Sequence, residues 1–212
     1  YRDSSGYSMP HNPEALEVIY NLRSNNSISS NHLEMYIQDT WRRETSNSIF
    51  SLNYGLRMSH WSWNKEWLFS PRASLTYIPK NHDNMTIRLA TGLYYQRPFY
   101  KELRDTITNG ATTIVQLNQD IQSQRSFQVI AGYEYRFKIG KRPFLFATEL
   151  YYKAQDRLNP YTVDNTKIVY YGRNCATGNV LGADFKLYGE FVPGTDSWLT
   201  FSLMRARMDI NS

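Results

Sequence analysis

The sequence predicts an all-β protein, an antiparallel transmembrane β-barrel segment of about eight strands. Three observations predict this fold: a two-residue alternation of apolar and polar side chains, unusually long strands, and connections that alternate between short and long. Between residues 50 and 58 every second side chain is apolar, and the residues between them are small, polar or charged. Successive side chains of a strand point to opposite faces, so the pattern gives one apolar and one polar face.

The same alternation returns eight times along the chain. Turn-forming residues separate the runs, as at Pro79-Lys80-Asn81-His82-Asp83-Asn84 and at Pro193-Gly194-Thr195-Asp196. The predicted strands cover residues 32–44, 49–61, 67–79, 85–98, 125–138, 143–156, 179–192 and 198–210.

Strand length favours a membrane over a soluble core. Strands of globular proteins have about 5–6 residues, whereas these have about 11–14. Twelve residues at ~3.3 Å each, tilted by ~40–45°, rise roughly 28–30 Å, which is enough to cross an apolar band of ~25 Å. A β-sandwich core does not require that length.

The connections indicate two different rims. Short turns are predicted near residues 46, 81, 140 and 194, and long connections at about 99–124 and 157–178, with the short 62–65 connection as an exception. Outer-membrane barrels have short periplasmic turns and longer extracellular loops. We interpret residues 1–30, which have a weak helical tendency near 14–22, as an extracellular loop segment and residues 31–212 as the barrel strands.

Composition excludes several classes of protein. The 212-residue chain is 41% hydrophobic and 15% aromatic, and no apolar run approaches the ~18 residues of a spanning helix. The net charge of +5 comes from scattered basic residues, which argues against a nucleic-acid partner. The single cysteine, Cys175, excludes an internal disulfide and a cysteine-cluster metal site.

No arrangement typical of an enzyme occurs, so we expect no catalytic activity, metal or cofactor. The sequence contains no nucleophile elbow and no phosphate-binding glycine loop. Four histidines lie in loops, in turns or at strand ends, without the spacing of metal ligands: His11, His32, His60 and His82.

The polar faces of the strands carry charges of both signs, and a solvated face of a soluble protein would look the same. In a barrel these residues would face the lumen, where we expect them to contact a plug more than a solute. The predicted lumen-facing charges are Arg57, Arg72, Arg88, Glu134, Arg136, Glu149, Lys153, Asp184, Lys186 and Glu190. Better candidates for ligand capture are the first thirty residues and four residues of the 99–124 connection: Tyr100, Glu102, Arg104 and Asp105.

Four segments, in order, resemble the barrel motifs of TonB-dependent receptors. Residues 36–41, Tyr-Ile-Gln-Asp-Thr-Trp, are similar to the Tyr-x-Gln-Asp-x-Trp strand. Residues 55–57 and 69–77 are similar to the Gly-x-Arg and Ser-Pro-Arg-x-Ser-x-x-Tyr pair. Residues 117–137 resemble the segment that leads into a Gly-x-Glu-Tyr strand, and residues 182–185 a Gly-x-Glu strand in which Asp replaces Glu.

The resemblance implies a receptor in the outer membrane of a Gram-negative bacterium, with a barrel of ~22 strands. Such receptors import scarce nutrients such as metal chelates, cobalamin or glycans, with energy passed through TonB. Their partners are outer-membrane lipid, the receptor's own plug domain, TonB and the small nutrient. No plug or TonB box has a counterpart here, so we expect this chain to be a barrel fragment.

Two alternatives remain open from the residues. One is a self-contained eight-strand outer-membrane barrel that acts as an anchor or adhesin. The other is a soluble β-barrel or sandwich that binds a small ligand. An open sheet of eight strands has two unpaired edges, which are costly in hydrocarbon, so the strands either close alone or continue into others.

Overall fold

Eight long antiparallel strands form one sheet in the computed structural model, which describes residues 6–8, 17–23, 25–109, 112–164 and 167–210. Within these residues fourteen strands are numbered in chain order. The eight long ones are β3 (His32–Glu44), β4 (Ser48–Trp61), β5 (Glu66–Pro79), β6 (Met85–Gln96), β9 (Gln124–Ile139), β10 (Arg142–Leu158), β13 (Ala176–Val192) and β14 (Thr195–Ile210). They pair in the order β14-β13-β10-β9-β6-β5-β4-β3.

The eight strands are those predicted from the alternation, and their ends differ from the prediction by a few residues. They contain between 12 and 17 residues. At a tilt of about 40° such strands rise about 30–43 Å, which exceeds the apolar band of an outer membrane. The predicted all-β antiparallel class is confirmed.

The loops contain further strands that the sequence did not reveal. These strands are β1 (Gly6–Ser8), β2 (Glu17–Arg23), β7 (Arg104–Asn109), β8 (Thr112–Leu117), β11 (Tyr161–Asp164) and β12 (Lys167–Tyr170). Four of them form a separate sheet of order β1-β2-β8-β7, and β11 pairs with β12 as a small hairpin. The predicted helical tendency near residues 14–22 was wrong over residues 17–22, because Glu17–Arg23 forms β2 and pairs with β1 and β8. Residues 14–16 of that prediction lie outside the described residues.

The apolar face of the large sheet is not covered by a second layer. Its side chains include Ile37 at 73%, Leu150 at 54% and Leu181 at 58% exposure. Among the described residues only a few apolar side chains are buried, and most of these lie near the ends of the long strands. A single sheet with an exposed apolar face is the arrangement expected when lipid is the solvent on that side.

The two rims of the sheet differ as predicted. Residues 45–47, 80–84, 140–141 and 193–194 connect the strands at one rim, which we call the turn rim. At the opposite rim, the loop rim, lie the connections 62–65, 97–123 and 159–175. Gly140 and Gly194 have positive φ angles of 64° and 76°, which the two-residue turns at these positions require and which glycine adopts without strain.

Aromatic rings cover the apolar face near the turn rim. Phe144 is 6% exposed and stacks on Phe137 at 5.6 Å between ring centroids. Phe191 meets it edge-on at 5.3 Å. Gly189, directly opposite Phe144, leaves the space that the ring occupies. Rings in this position resemble the aromatic belt of proteins at a lipid–water boundary.

Strands β3 and β14 are the two edges of the sheet, and they do not pair with each other. The described strands therefore form an open sheet rather than a closed eight-strand barrel. Each edge has a row of backbone donors and acceptors that no described strand satisfies.

Candidate functional site

The polar face brings together the charges that the sequence assigned to the lumen. Residues directly opposite each other in an antiparallel pair have side chains on the same face. One such row runs from Arg88 through Gly132, Glu149 and Asp184 to Ser202. The register places nine of the predicted residues on this face: Arg57, Arg72, Arg88, Glu134, Arg136, Glu149, Lys153, Asp184 and Lys186.

The tenth residue, Glu190, lies beside the turn between β13 and β14. Its carboxylate accepts a hydrogen bond from the backbone N–H of Gly194. This contact gives Glu190 a role in the turn. That the polar face lines a lumen remains a prediction.

Some charges on the polar face neutralise each other, and others do not. Arg88 and Arg136 both pair with Glu134, Arg136 at 3.4 Å. Glu149 and Asp184 lie directly opposite each other, and among the described residues neither has a cation within ion-pair distance. Like charges in this position destabilise a sheet. The face therefore keeps an excess of negative charge at this place.

A pocket of about 550 Å³ lies on the polar face close to the loop rim. Arg57, Arg72, Arg97 and Glu34 are the charged residues of its wall. Glu34 pairs with Arg57, with Arg97 at 3.7 Å and with the Nε2 atom of His32 at 3.0 Å. The sequence had indicated Arg57 and Arg72 here but neither Glu34 nor Arg97. The phase of Leu33, Met35 and Ile37 already puts Glu34 on the polar face, so this signal was present.

A tyrosine ring lies against the Arg72 guanidinium in this pocket. The Arg72 Cζ atom lies 5.5 Å from the centroid of the Tyr94 ring, a distance typical of a cation–π contact. A Cβ atom at Gly92 would approach the Tyr94 ring within 2.9 to 3.1 Å. Glycine at this position therefore allows the ring to lie close to the sheet beside Arg72.

An apolar cluster holds the connections together at the loop rim. Trp61, Leu103 and Ile121 are buried in it at 9%, 1% and 1% exposure. Ile28, Trp63 and Leu117 pack around these three side chains. Because its members come from the segment before β3, the end of β4 and the 97–123 connection, the cluster fixes the position of that connection over the strand ends.

Glu66 ties the same connections together by hydrogen bonds. Its Oε2 atom accepts hydrogen bonds from the Ser123 N–H at 2.9 Å and from the Asn64 amide at 3.1 Å. Its Oε1 atom accepts one from Arg157 at 3.3 Å. The Glu66 side chain is only 13% exposed, so these three donors satisfy a nearly buried carboxylate.

Asn174 adds a second set of bonds between the two long connections. Its Oδ1 atom accepts a hydrogen bond from the Gln122 N–H at 2.7 Å, and its amide donates to the Gln122 carbonyl at 3.0 Å and to the Arg157 carbonyl at 2.5 Å. No sequence pattern distinguished Glu66 or Asn174, because Ser123 and Gln122, which they hold in the 97–123 connection, lie 57 and 52 residues away from them.

The predicted ligand-capture residues lie in this assembly, at the beginning of the 97–123 connection. Glu102 is 5% exposed, and its carboxylate accepts hydrogen bonds from the Phe99 N–H at 2.8 Å and the Gln124 amide at 3.1 Å. Tyr100, Arg104 and Asp105 are half-buried. Glu102 therefore holds the connection in place, and ligand capture by the four residues remains a prediction.

Glu102 also contacts the 159–175 connection, through its backbone carbonyl and through the charge of its carboxylate. The Asn159 amide donates to the Glu102 carbonyl at 3.2 Å. Burial raises the pKa of the Tyr170 phenol above its ordinary value, and the neighbouring Glu102 carboxylate and Tyr161 phenol add to this rise. Tyr170 therefore remains neutral where an exposed tyrosine begins to ionise.

The part of the chain that the structure describes contains no group of three or more potential metal ligands. Within the same residues, no α-helix has the length and apolar character of a membrane span.

A family model described as "TonB dependent receptor-like, beta-barrel" matches residues 1–209. The chain belongs to this family. The membership agrees with the open antiparallel sheet, its exposed apolar face and its unequal rims. TonB-dependent receptors are outer-membrane receptors and transporters of Gram-negative bacteria, and the family is not one of enzymes.

No match was found among curated proteins or among solved structures. The family therefore rests on the model match, with the fold in agreement. In transmembrane β-barrels in general, the apolar side of the strands faces lipid and the polar side faces the interior.

Proposed function

We propose that this chain is part of the barrel wall of a bacterial outer-membrane receptor that imports a scarce nutrient by energised transport. The nutrient is a metal chelate, cobalamin or a glycan, and the energy comes through TonB. The observation that carries the proposal is the single eight-strand sheet with an exposed apolar face, in a chain of the TonB-dependent receptor family.

The remainder of the barrel comes from strands that pair with β3 and β14. Unsatisfied backbone groups in hydrocarbon cost several kcal/mol each, so neither edge is stable against lipid. A barrel of ~22 strands supplies partners to both edges. Residues 31–212 then form eight consecutive strands, and residues 1–30 belong to an extracellular loop segment.

The polar face packs against the receptor's own plug domain. Two observations support this role: the predicted lumen charges share one face, and Glu149 and Asp184 have no cationic partner among the described residues. A basic side chain of the plug opposite this pair would offset their repulsion.

The loop rim faces the cell exterior and captures the nutrient. The 97–123 connection is fixed by the apolar cluster and by Glu66, so Tyr100, Arg104 and Asp105 are held on a rigid base. Glu102 acts as their anchor within the connection.

Deletion of the receptor gene in its host tests this function. Uptake of labelled metal chelates, cobalamin and glycans is compared between the deletion strain, the complemented strain and a strain without TonB. We expect one nutrient class to require both the receptor and TonB. Uptake of all three classes at wild-type rates in the deletion strain under nutrient limitation would contradict the proposal.

A further inference from the structure

The pocket beneath the loop rim has more positive than negative charge. Three guanidinium groups, those of Arg57, Arg72 and Arg97, belong to its wall together with one carboxylate, Glu34. Glu34 pairs with Arg57 and Arg97. The four side chains together leave a surplus of two positive charges.

Arg72 is the group of this wall that no acid neutralises. Among the described residues no carboxylate lies within ion-pair distance of it, and its guanidinium lies against the Tyr94 ring. A ring face attracts the cation but leaves the N–H groups at its edge available for hydrogen bonds. Arg72 therefore presents donors to the pocket in a defined orientation.

The register places small residues opposite these arginines. Arg72 lies directly opposite Gly55 on one side and Gly92 on the other, and Arg57 lies opposite Ser70. The Tyr94 ring lies over Gly92, so the free space in front of the guanidinium groups is the pocket itself. Arg57 and Arg72 lie on adjacent strands in diagonal positions, a spacing that long side chains bridge.

We propose that this pocket binds an oxyanion group of the imported ligand: a carboxylate, a phosphate or a sulfate. The planar fork of arginine matches these groups with two parallel hydrogen bonds. Trp61 and Tyr94 add ring surface to the wall for the neighbouring part of the ligand. The inference rests on the proposed uptake function and specifies its ligand chemistry.

The position of the pocket favours a ligand over a carboxylate of the plug. Its wall continues from the strands into Arg97, Pro98 and Phe99, the first residues of the long 97–123 connection. This connection belongs to the loop rim, where a ligand arrives, and Glu102 fixes its start through the Phe99 N–H. An incoming ligand therefore meets the arginine group before it reaches the middle of the lumen.

Calorimetric titration of the intact, detergent-purified receptor tests the inference. The probes are inorganic phosphate, inorganic sulfate and citrate, each at constant ionic strength with chloride as the other anion. We expect at least one probe to bind, and Arg72→Gln to weaken its affinity about tenfold or more, since charged hydrogen bonds are lost. The probe that binds also distinguishes a phosphate, sulfate or carboxylate ligand.

Arg205→Gln is the matched control, because it removes the same charge from the apolar face of β14. It leaves the affinity unchanged. Arg97→Gln replaces Arg72→Gln if the latter protein does not fold, with the same expected loss. Absence of binding for all three probes, or equal weakening in the control, would overturn the inference.

Energised uptake is measured separately in cells, so the two proposals fail in different ways. If the oxyanion site is wrong, uptake of the nutrient still requires the receptor and TonB but does not change in Arg72→Gln. If the transport role is wrong, uptake requires neither.

Discussion

At the scale of single residues, Leu150 is a test of which solvent the apolar face meets. The side chain lies between Ala131 and Ala183 in the middle of β10 and is 54% exposed, although it is a large apolar group in the centre of the sheet. Burial of a leucine contributes about 1.5–3 kcal/mol to stability when it is removed from water. In lipid the exposed leucine gains this stabilisation without any protein neighbour.

Leu150→Arg should lower the free energy of unfolding of the receptor in lipid by about 2–4 kcal/mol, because the introduced charge lies near the bilayer midplane. Glu149→Arg is the control, since the adjacent side chain is on the polar face opposite Asp184 and would gain an acidic partner. Urea unfolding from lipid vesicles measures both. Equal losses in the two variants would show that the faces do not meet different solvents.

The loop rim offers a second test at the residue scale. Glu66→Gln removes the charge that accepts hydrogen bonds from Ser123, Asn64 and Arg157. Charged hydrogen bonds contribute about 1.5–3 kcal/mol to stability. The free energy of local opening of the 97–123 connection should therefore fall by about 2 kcal/mol, which raises the population of the open state roughly thirtyfold. Hydrogen exchange of a peptide that includes Ser123 measures the change.

Glu44→Gln is the comparison for that variant. Glu44 pairs with Lys80 at the turn rim, far along β3 from the loop cluster. In Glu44→Gln, hydrogen exchange of the peptide that includes Ser123 should equal that of the wild type. If Glu66→Gln also matched the wild type, the carboxylate would not anchor the connection.

At the scale of strands, glycine sets where aromatic rings can lie. A Cβ atom at Gly189 would come within 2.8 Å of the Pro143 carbonyl oxygen and closer still to the Phe144 ring. At Gly132 the nearest atom would be 3.7 Å away, which is ordinary contact. Both glycines lie within long strands of the same sheet.

Gly189→Ala should therefore cost about 1–3 kcal/mol, because the strand and the ring must both shift. Gly132→Ala should be nearly neutral. Unfolding of the two variants from lipid vesicles gives the comparison. A Gly189→Ala receptor as stable as Gly132→Ala would mean that the ring is not seated on the glycine.

The strands also show which parts of the fold the sequence predicts and which it does not. All eight long strands were predicted, because alternation over more than ten residues is a local pattern that one solvent on each side imposes. The strands within the loops were missed, since β2 pairs with β8 about ninety residues away and such pairing leaves no local period. Val18, Ile19 and Leu22 have a spacing that also suits a helix, and the distant partner decided against it.

The candidate site was predicted in part for the same reason. Alternation alone put Arg57 and Arg72 on one face, and the structure agrees. The contributions of Arg97 and Glu102 depend on how the connection folds back over the strands. Nothing in the adjacent residues specifies that fold.

At the scale of the whole molecule, the sheet is only one layer thick among the described residues. In the barrel proposed above, its apolar face meets lipid, its polar face meets the lumen, and its two edges pair with further strands. The two rims differ in structure, because the turn rim has only short turns, whereas the long connections at the loop rim pack together in the apolar cluster. Each of these roles follows from hydrocarbon as the solvent of the apolar face.

Spin-label accessibility along β10 in lipid vesicles tests that claim most directly. In the intact receptor with Cys175 replaced by serine, nitroxide labels are placed one at a time at positions 144–154. We predict that collisions with oxygen, which concentrates in hydrocarbon, rise and fall with a period of two, with maxima at Phe146, Leu150 and Tyr152 and minima at Ala147 and Glu149. Low oxygen accessibility at Leu150, equal to that at Glu149, would show that protein covers the apolar face and would contradict the account.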